Sequence, residues 1–331
     1  MAGADRCVNL RALGCYLPSR VMTNDDWAQF VDTSDEWITA RTGIKRRRIA
    51  ADDETTVTLA AAAARDALAR HRISAGDIDE IIVATDTPEV YVPDTASFLQ
   101  HCIGARGVPS YTLGGSGCTG FVQALDIAVS RVRSGTDTLL IAGVELLTRI
   151  VSWRDRNTCV LFGDGAGAIV VGAAPGFGRV LHVVCGTAGG NAGFLGIEVG
   201  GTRHPFSLEA ARQGLHQRAT LHGREVFRSA VHWMSEAAHR VLQESGTSLG
   251  DVALFIPHQA NLRIIEAVAK SLALPADRCF VNLGEYGNTG SASIPIALWE
   301  ARETGRIRGG DLVLVTAFGA GYHWGAALLQ F

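Results

Sequence analysis

The chain has 331 residues, 47% hydrophobic and 19% charged, with a formal net charge of −3. That length can bury a large core, the composition excludes a disordered chain, and the charge gives no global argument for nucleic acid or an anionic membrane. No apolar stretch reaches transmembrane length, and seven scattered cysteines without a C-x-x-C pair point to free thiols in a reducing cytoplasm, not to a disulfide framework or a metal site.

From the start, Met1 to Cys7 lacks the basic opening and apolar run of a secretory leader. Val8 to Pro18 predicts a strand closed by a Gly/Pro turn. Asp32-Thr33-Ser34-Asp35-Glu36-Trp37 supplies a helix start, with Thr33 or Ser34 as N-cap, and the helix ends near Gly43. The run Lys45-Arg46-Arg47-Arg48 reads as a solvated face. Thr56 to His71 predicts a helix, and Ile81 to Ala84 a buried strand.

Next comes Gly115-Ser116-Gly117-Cys118-Thr119-Gly120-Phe121, where small residues crowd one cysteine just before an apolar-periodic helix. A thiol there lies near the positive end of the helix dipole, which favours thiolate. The plainer alternative is a buried cysteine serving as a small hydrophobe. Val252 to Ile256 predicts a strand running into Pro257-His258-Gln259-Ala260-Asn261, with a helix from Leu262 to Leu272. His258 thus falls at a strand end, where α/β folds place ligand-binding groups, although a lone histidine there is also compatible with a structural role. Leu283 to Ser293 is another small-residue loop before a helix, in which Asn288 reads as a turn residue or a site residue. Ala317 to Gly325 brings a glycine-rich loop to a strand end, with amides suited to an oxyanion.

The chain also repeats. Ala63-Ala64-Arg65-Asp66-Ala67-Leu68 and Ser74-Ala75-Gly76-Asp77 match Ala237-Ala238-His239-Arg240-Val241-Leu242 and Ser248-Leu249-Gly250-Asp251 at a constant offset of 174 residues. Gly135-Thr136-Asp137 and Gly309-Gly310-Asp311 hold the same offset, and Cys118-Thr119-Gly120 falls opposite Asn288-Thr289-Gly290 at 170. One period of half the chain predicts two similar α/β halves, residues 1–173 with the cysteine and 174–331 with His258 and Asn288, sharing a composite site at their seam.

These residues meet a known pattern. Asp35-Glu36-Trp37-Ile38, Arg41-Thr42-Gly43-Ile44, the glycine-flanked Cys118, Phe162-Gly163-Asp164-Gly165-Ala166-Gly167, Pro257-His258-Gln259-Ala260-Asn261, Gly287-Asn288-Thr289 and Phe318-Gly319-Ala320-Gly321 closely resemble β-ketoacyl-acyl-carrier-protein synthase III, a condensing enzyme of the thiolase superfamily. The resemblance runs nearly end to end. It implies the five-layer α/β/α/β/α thiolase-like fold and a homodimer. It also implies that Cys118 carries an acyl group from acyl-CoA, that the amides of Cys118 and Ala320 hold the oxyanion, and that His258 and Asn288 stabilise the enolate formed when malonyl-acyl-carrier protein loses carbon dioxide. No metal or resident cofactor is implied; acyl-CoA is a substrate. Biosynthetic thiolases carry a second cysteine in the C-terminal glycine-rich loop, and Phe318-Gly319-Ala320-Gly321 has none.

By the same resemblance Trp37 and Arg156 would sandwich the adenine, Thr33 and Arg41 would contact the nucleotide end, and Phe227, Ala260 and Asn261 the pantetheine arm. Arg224 and Asn157 depart from common family residues at this end. Arg224, Arg228, Arg263 and Lys270 would form a basic patch for the acidic carrier protein. Val92, in a loop that the family inserts into the partner's acyl pocket, stands where some acetyl-selective members carry phenylalanine, with Phe162 and Phe318 as neighbours. The smaller side chain predicts tolerance of longer or branched acyl groups. Initiation of fatty-acid synthesis is the expected role. A secondary-metabolism relative using a special acyl group or another acceptor, and an inactive CoA-binding scaffold, are the alternatives.

Overall fold

Residues 6–331 are described in a computed structural model of the chain; residues 1–5, which open the stretch read for a leader, lie outside them. The first run comprises β1 (Val8–Tyr16), β2 (Arg20–Thr23), α1 (Asn24–Trp27), α2 (Asp35–Thr42), β3 (Arg46–Ile49), α3 (Thr56–His71) and β4 (Glu80–Ala84). It continues through α4 (Thr95–Cys102), β5 (Ser110–Leu113), α5 (Gly120–Arg133), β6 (Thr138–Leu146), α6 (Leu147–Ile150) and β7 (Asp164–Gly172). The second run comprises β8 (Gly178–Thr187), β9 (Leu195–Ile197), α7 (Leu208–Arg212), β10 (Ala219–Leu221), α8 (Gly223–Ser245) and β11 (Val252–Pro257). It ends with α9 (Leu262–Ser271), α10 (Leu283–Tyr286), α11 (Ser293–Glu303), β12 (Leu312–Gly319) and β13 (His323–Gln330).

Local chemistry explains these boundaries. The Thr55 hydroxyl accepts from the Thr58 amide at 3.3 Å and the Thr58 hydroxyl from the Thr55 amide at 2.7 Å, a reciprocal cap that starts α3. The small alanines of α3 let it lie close on β1, where a Cβ on Gly14 would strike the Ala67 backbone. Ser34 caps α2 by accepting from the Trp37 amide at 3.2 Å, and Gly43, with φ of 81°, ends it.

Nine strands join in the order β11-β12-β13-β8-β1-β7-β6-β4-β5. The two limbs are stitched together where Val8–Leu10 of β1 pairs with Gly178–Val180 of β8. Helices α5 and α11 pack on strands of both limbs. Between the limbs lies a core that includes Phe121, Leu125, Ile141, Ile256, Leu298 and Val315. A second core holds the α3 alanines against β6 and β7, and a third holds α8 and α9 against β12 and β13. The result is five layers, α/β/α/β/α, the thiolase-like arrangement with two similar halves.

Two expectations need correction. The 3-10 turns Gly117–Thr119 and Gly290–Ala292 lead into α5 and α11, and their first glycines have φ of 55° and 54°. The equivalent turns are therefore 173 residues apart, so the counterpart of Cys118 is Ser291; Asn288 lies one short step upstream. The basic run 45–48 is not a uniformly solvated face either. Arg47 is fully buried in β3, donating to Asn24 Oδ1 at 2.8 Å and the Val160 carbonyl at 2.5 Å. Alternation along the strand turns this one side chain inward.

Candidate active site

Two tight turns and two strand ends converge at the seam. The turn holding Cys118 packs against the backbone following β12: a Cβ on Gly117 would strike the Ala320 amide nitrogen, and one on Gly319 would strike the Cys118 amide nitrogen. Only glycine permits this approach, and Gly117 also needs its positive φ. The Cys118 and Ala320 amides stay outside the backbone hydrogen-bond network of the described residues. Both N–H groups thus remain available close to the thiol.

Asn288 approaches from the other half. Its backbone is clamped to Leu161 and Gly163 at 2.8 and 3.0 Å. Its Oδ1 accepts from the Gly290 amide at 2.8 Å and from the Cys118 thiol at 3.9 Å. Because an amide N–H can only donate, the Gly290 contact fixes which side-chain atom is oxygen. The Asn288 Nδ2 group is left without a partner among the described residues.

His258 is buried at the end of β11, where its backbone N–H donates to the Thr316 carbonyl at 2.7 Å. Its Nδ1 lies 2.6 Å from Ser293 Oγ at the start of α11, while Nε2 is buried and has no partner. Burial pushes the imidazole down to about 3, so it is neutral at physiological pH.

The thiol departs from expectation. Burial pushes Cys118 well above the ordinary thiol range, and the neighbouring carboxyls of Asp86 and Glu145, where ionised, add to that. Position before a helix does not outweigh these effects, and the resting form is the thiol. Glu145 itself is buried and accepts from Ser291 Oγ at 2.8 Å, Thr87 Oγ1 at 2.9 Å and the Asp86 amide at 3.1 Å. Desolvation first, then Asp86, raises the Glu145 carboxyl; Asp86 is raised chiefly by its own burial. Sequence reasoning missed these two acids and Ser293. Ser293 stood in the loop already singled out, but only the fold brings it to His258.

The remaining predicted residues are placed more loosely. Trp37 is half-buried, with the guanidinium carbons of Arg41 and Arg156 at 4.6 and 4.8 Å from its ring centroid. That spacing leaves no room for a base between Trp37 and Arg156, and Arg156 also donates to the Asp32 carbonyl at 2.8 Å. Thr33 has a buried, unpartnered hydroxyl, and Ser34 takes the cap instead. Asn261 caps α9, accepting from the Arg263 amide at 2.9 Å and donating to the Arg41 carbonyl at 3.1 Å. This ties α9 to α2. Arg263 reinforces the tie through the Ala40 carbonyl at 2.8 Å.

Ala260 lies two residues after His258 and its amide donates to the His258 carbonyl at 3.0 Å, and Phe227 is exposed on α8. Arg224, Arg228, Arg263 and Lys270 are exposed on α8 and α9, which pack together. Phe162 bridges to Asn288. Phe318 instead packs edge-on against Tyr322 in the core beneath α8, and Val92 is 86% exposed. A single chain therefore does not bring Val92 and Phe318 together. Asp164 is structural, accepting from Ala50 and Thr148 amides and the Thr148 hydroxyl. Among the described residues no group of three or more His, Cys, Asp or Glu is arranged to hold a metal, and no helix is long and apolar enough to cross a membrane.

Residues 115–189 match the family model for 3-oxoacyl-[acyl-carrier-protein] synthase III, and residues 242–331 match the model for its C-terminal region. The chain is 47% identical over 319 residues, 96% of each chain, to a β-ketoacyl-[acyl-carrier-protein] synthase III of Roseiflexus castenholzii. The crystal structure of 3-oxoacyl-[acyl-carrier-protein] synthase III from Aquifex aeolicus superposes with a TM-score of 0.89 at 44% identity, covering 98% of this chain and all of that one. The priming β-ketosynthase of the R1128 polyketide biosynthetic pathway superposes with a TM-score of 0.89 at 34% identity, covering 98% and 96%. With this likeness spanning nearly the whole chain, the protein belongs to the β-ketoacyl-acyl-carrier-protein synthase III family.

Proposed function

We propose that the protein catalyses decarboxylative condensation of an acyl-CoA primer with malonyl-acyl-carrier protein, giving 3-oxoacyl-carrier protein and initiating fatty-acid synthesis. The observation that carries this reading is a neutral, buried imidazole with an unpartnered Nε2, joined through Ser293 to the helix that follows Asn288. Such a site offers donors for a developing negative charge.

In the first half-reaction the Cys118 sulfur adds to the thioester carbonyl of acyl-CoA. The Cys118 and Ala320 amides receive the oxyanion. The carbon–sulfur bond to CoA breaks, and the thiol proton leaves with the CoA sulfur. In the second, the malonyl carbon–carbon bond breaks and its electrons pass into the thioester as carbon dioxide departs. His258 and Asn288 donate to the enolate oxygen. The enolate carbon attacks the acyl-cysteine, and the Cys118 sulfur leaves and is reprotonated. No step removes a proton from carbon, so decarboxylation and condensation need donors at the enolate oxygen and no base for a carbon acid.

Coenzyme A enters over Trp37, with its adenine displacing a guanidinium from the ring face, Thr33 and Arg41 at the nucleotide and Phe227, Ala260 and Asn261 along the arm. Arg224, Arg228, Arg263 and Lys270 receive the acidic carrier protein. The enzyme works in the cytoplasm as a homodimer without a resident cofactor, its halves dividing at residues 173 and 174. The exposed Tyr91 and Val92 suit burial by a partner and support that assembly. In the dimer, Val92 limits the acyl pocket together with Phe162; the small residue admits longer or branched primers.

The test uses purified protein, a panel of acyl-CoA primers and malonyl-acyl-carrier protein. The expected result is a mass increase of one acyl group on Cys118, followed by carbon dioxide release and a 3-oxoacyl product. No adduct with any acyl-CoA would return the protein to the class of inactive CoA-binding scaffolds. Likeness to a polyketide-priming ketosynthase supports a second reading, in which the same site starts a secondary metabolite. Acylation by an unusual primer, with transfer to another acceptor and no carbon dioxide, would favour that reading.

A further inference from the structure

We propose that Ser293 is a positioning residue that fixes the tautomer of His258, placing the single imidazole proton on Nε2. The inference rests on the condensing role assigned above, because that role needs Nε2 to donate.

Three observations converge. Ser293 Oγ lies 2.6 Å from His258 Nδ1, and both side chains are buried. That contact is the one hydrogen bond of the Ser293 hydroxyl among the described residues, so its proton has no acceptor except Nδ1. Nε2 is buried and unpartnered, on the ring edge opposite Ser293.

A neutral imidazole carries one N–H, and the partner of one nitrogen decides which nitrogen bears it. When the hydroxyl donates, Nδ1 is an acceptor and the proton sits on Nε2. The reverse arrangement would leave the hydroxyl proton buried without an acceptor and Nε2 without a hydrogen. It would also remove the donor that the enolate requires. Ser293 is the first residue of α11, and α11 follows directly from the turn after Asn288. One short segment therefore carries Asn288 and sets the state of His258, so both donors keep a fixed relation.

Asparagine achieves the same end differently. Its orientation is set by the Gly290 amide, which occupies Oδ1 and leaves Nδ2 to donate. In each case a fixed donor behind the side chain occupies its acceptor atom.

The experiment compares Ser293→Ala with Ser293→Thr, which keeps the hydroxyl, in the full-length protein. Nitrogen-15 and carbon-13 spectra of histidine-labelled protein, with His258→Asn to assign the signal, report the tautomer. The wild-type protein is expected to show Nε2–H, and Ser293→Ala a shift toward Nδ1–H. Malonyl-carrier decarboxylation should fall roughly 10- to 100-fold in Ser293→Ala, while acylation of Cys118 by acyl-CoA, followed by intact mass, stays within about twofold. Ser293→Thr should restore both the signal and decarboxylation.

A wild-type Nδ1–H signal, or a Ser293→Ala protein with unchanged tautomer and rate, would overturn the proposal. Equal loss of both half-reactions in Ser293→Ala, with the Nε2–H signal retained, would mark Ser293 as structural and also overturn it. Absence of decarboxylation in the wild type would instead overturn the condensing role, while the spectra still report on the tautomer.

Discussion

At the scale of single residues, the proposed site is one in which packing controls what each atom can donate. Asn288→Asp puts an acceptor where the Nδ2 donor stood. Decarboxylation of malonyl-carrier protein should then fall about 100- to 1000-fold, measured as carbon dioxide release. The depressed imidazole sets the pH response. His258 stays neutral in the native state, whereas an exposed histidine takes a proton near pH 6.5. Decarboxylation should therefore show no loss from His258 protonation between pH 8 and 5, a range in which the carrier-independent rate with malonyl-CoA can be recorded. Stability behaves differently. The unfolded chain binds more protons at this position below pH 6.5, so the contribution of neutral His258 is full above that value and is lost as pH falls toward 3. The thiol gives a third handle. Asp86 and Glu145 raise it, so Asp86→Asn should speed iodoacetamide labelling of Cys118 at pH 8, by up to about tenfold for each unit the titration moves down.

At the scale of elements, the sequence was most legible where local chemistry decides. Helix α3 has the bounds, Thr56–His71, that its alanine-rich segment predicts. Ser74 and Ser248, 174 residues apart, each cap a 3-10 turn by accepting from the second following amide, at 3.1 and 3.2 Å. Composition could not reveal which residue of the basic run turns inward. Arg47 is held by a side-chain amide and a carbonyl instead of a carboxylate, and its guanidinium is lowered to about 10 by burial. Arg47→Ala should cost about 2–4 kcal/mol in urea unfolding, since Asn24 Oδ1 and the Val160 carbonyl lose their donor inside the protein. The offset of 170 between Cys118 and Asn288 was similarly misleading. It matched residue types, whereas the turns that position them match at 173. The thiol's raised titration was invisible for the same reason: Asp86 and Glu145 reach it only through the ends of β4 and β6.

At the scale of the whole molecule, the seam and the exposed loop govern behaviour. Glu145 is buried between the halves with its carboxyl raised, so the native state holds a proton that the unfolded chain gives up near pH 4.5. Its contribution is complete below that pH and declines as pH rises to the native value of about 8, and Glu145→Gln should flatten the loss of thermal stability between those two values. For the proposed dimer, Val92→Phe should narrow the accepted acyl-CoA lengths without altering Cys118 acylation by acetyl-CoA; an unchanged length profile would place the loop away from the pocket. The strand order carries a further consequence for synthesis. The limb β5-β4-β6-β7-β1 has all its strands once residue 172 has been made. The other limb is open until the end, because β13, the last strand, is the one that joins β12 to β8. As a chain emerges from the ribosome N-terminus first, one sheet can assemble while its companion waits for the final eight-residue strand. Cys118, the proposed nucleophile, is thus made early, but the Ala320 amide and the proposed donors opposite it come into place only once the second limb has been made. Nascent chains stalled before His323 should resist protease over residues 8–172 and be cut within 178–322; uniform cleavage would show that the limbs fold together.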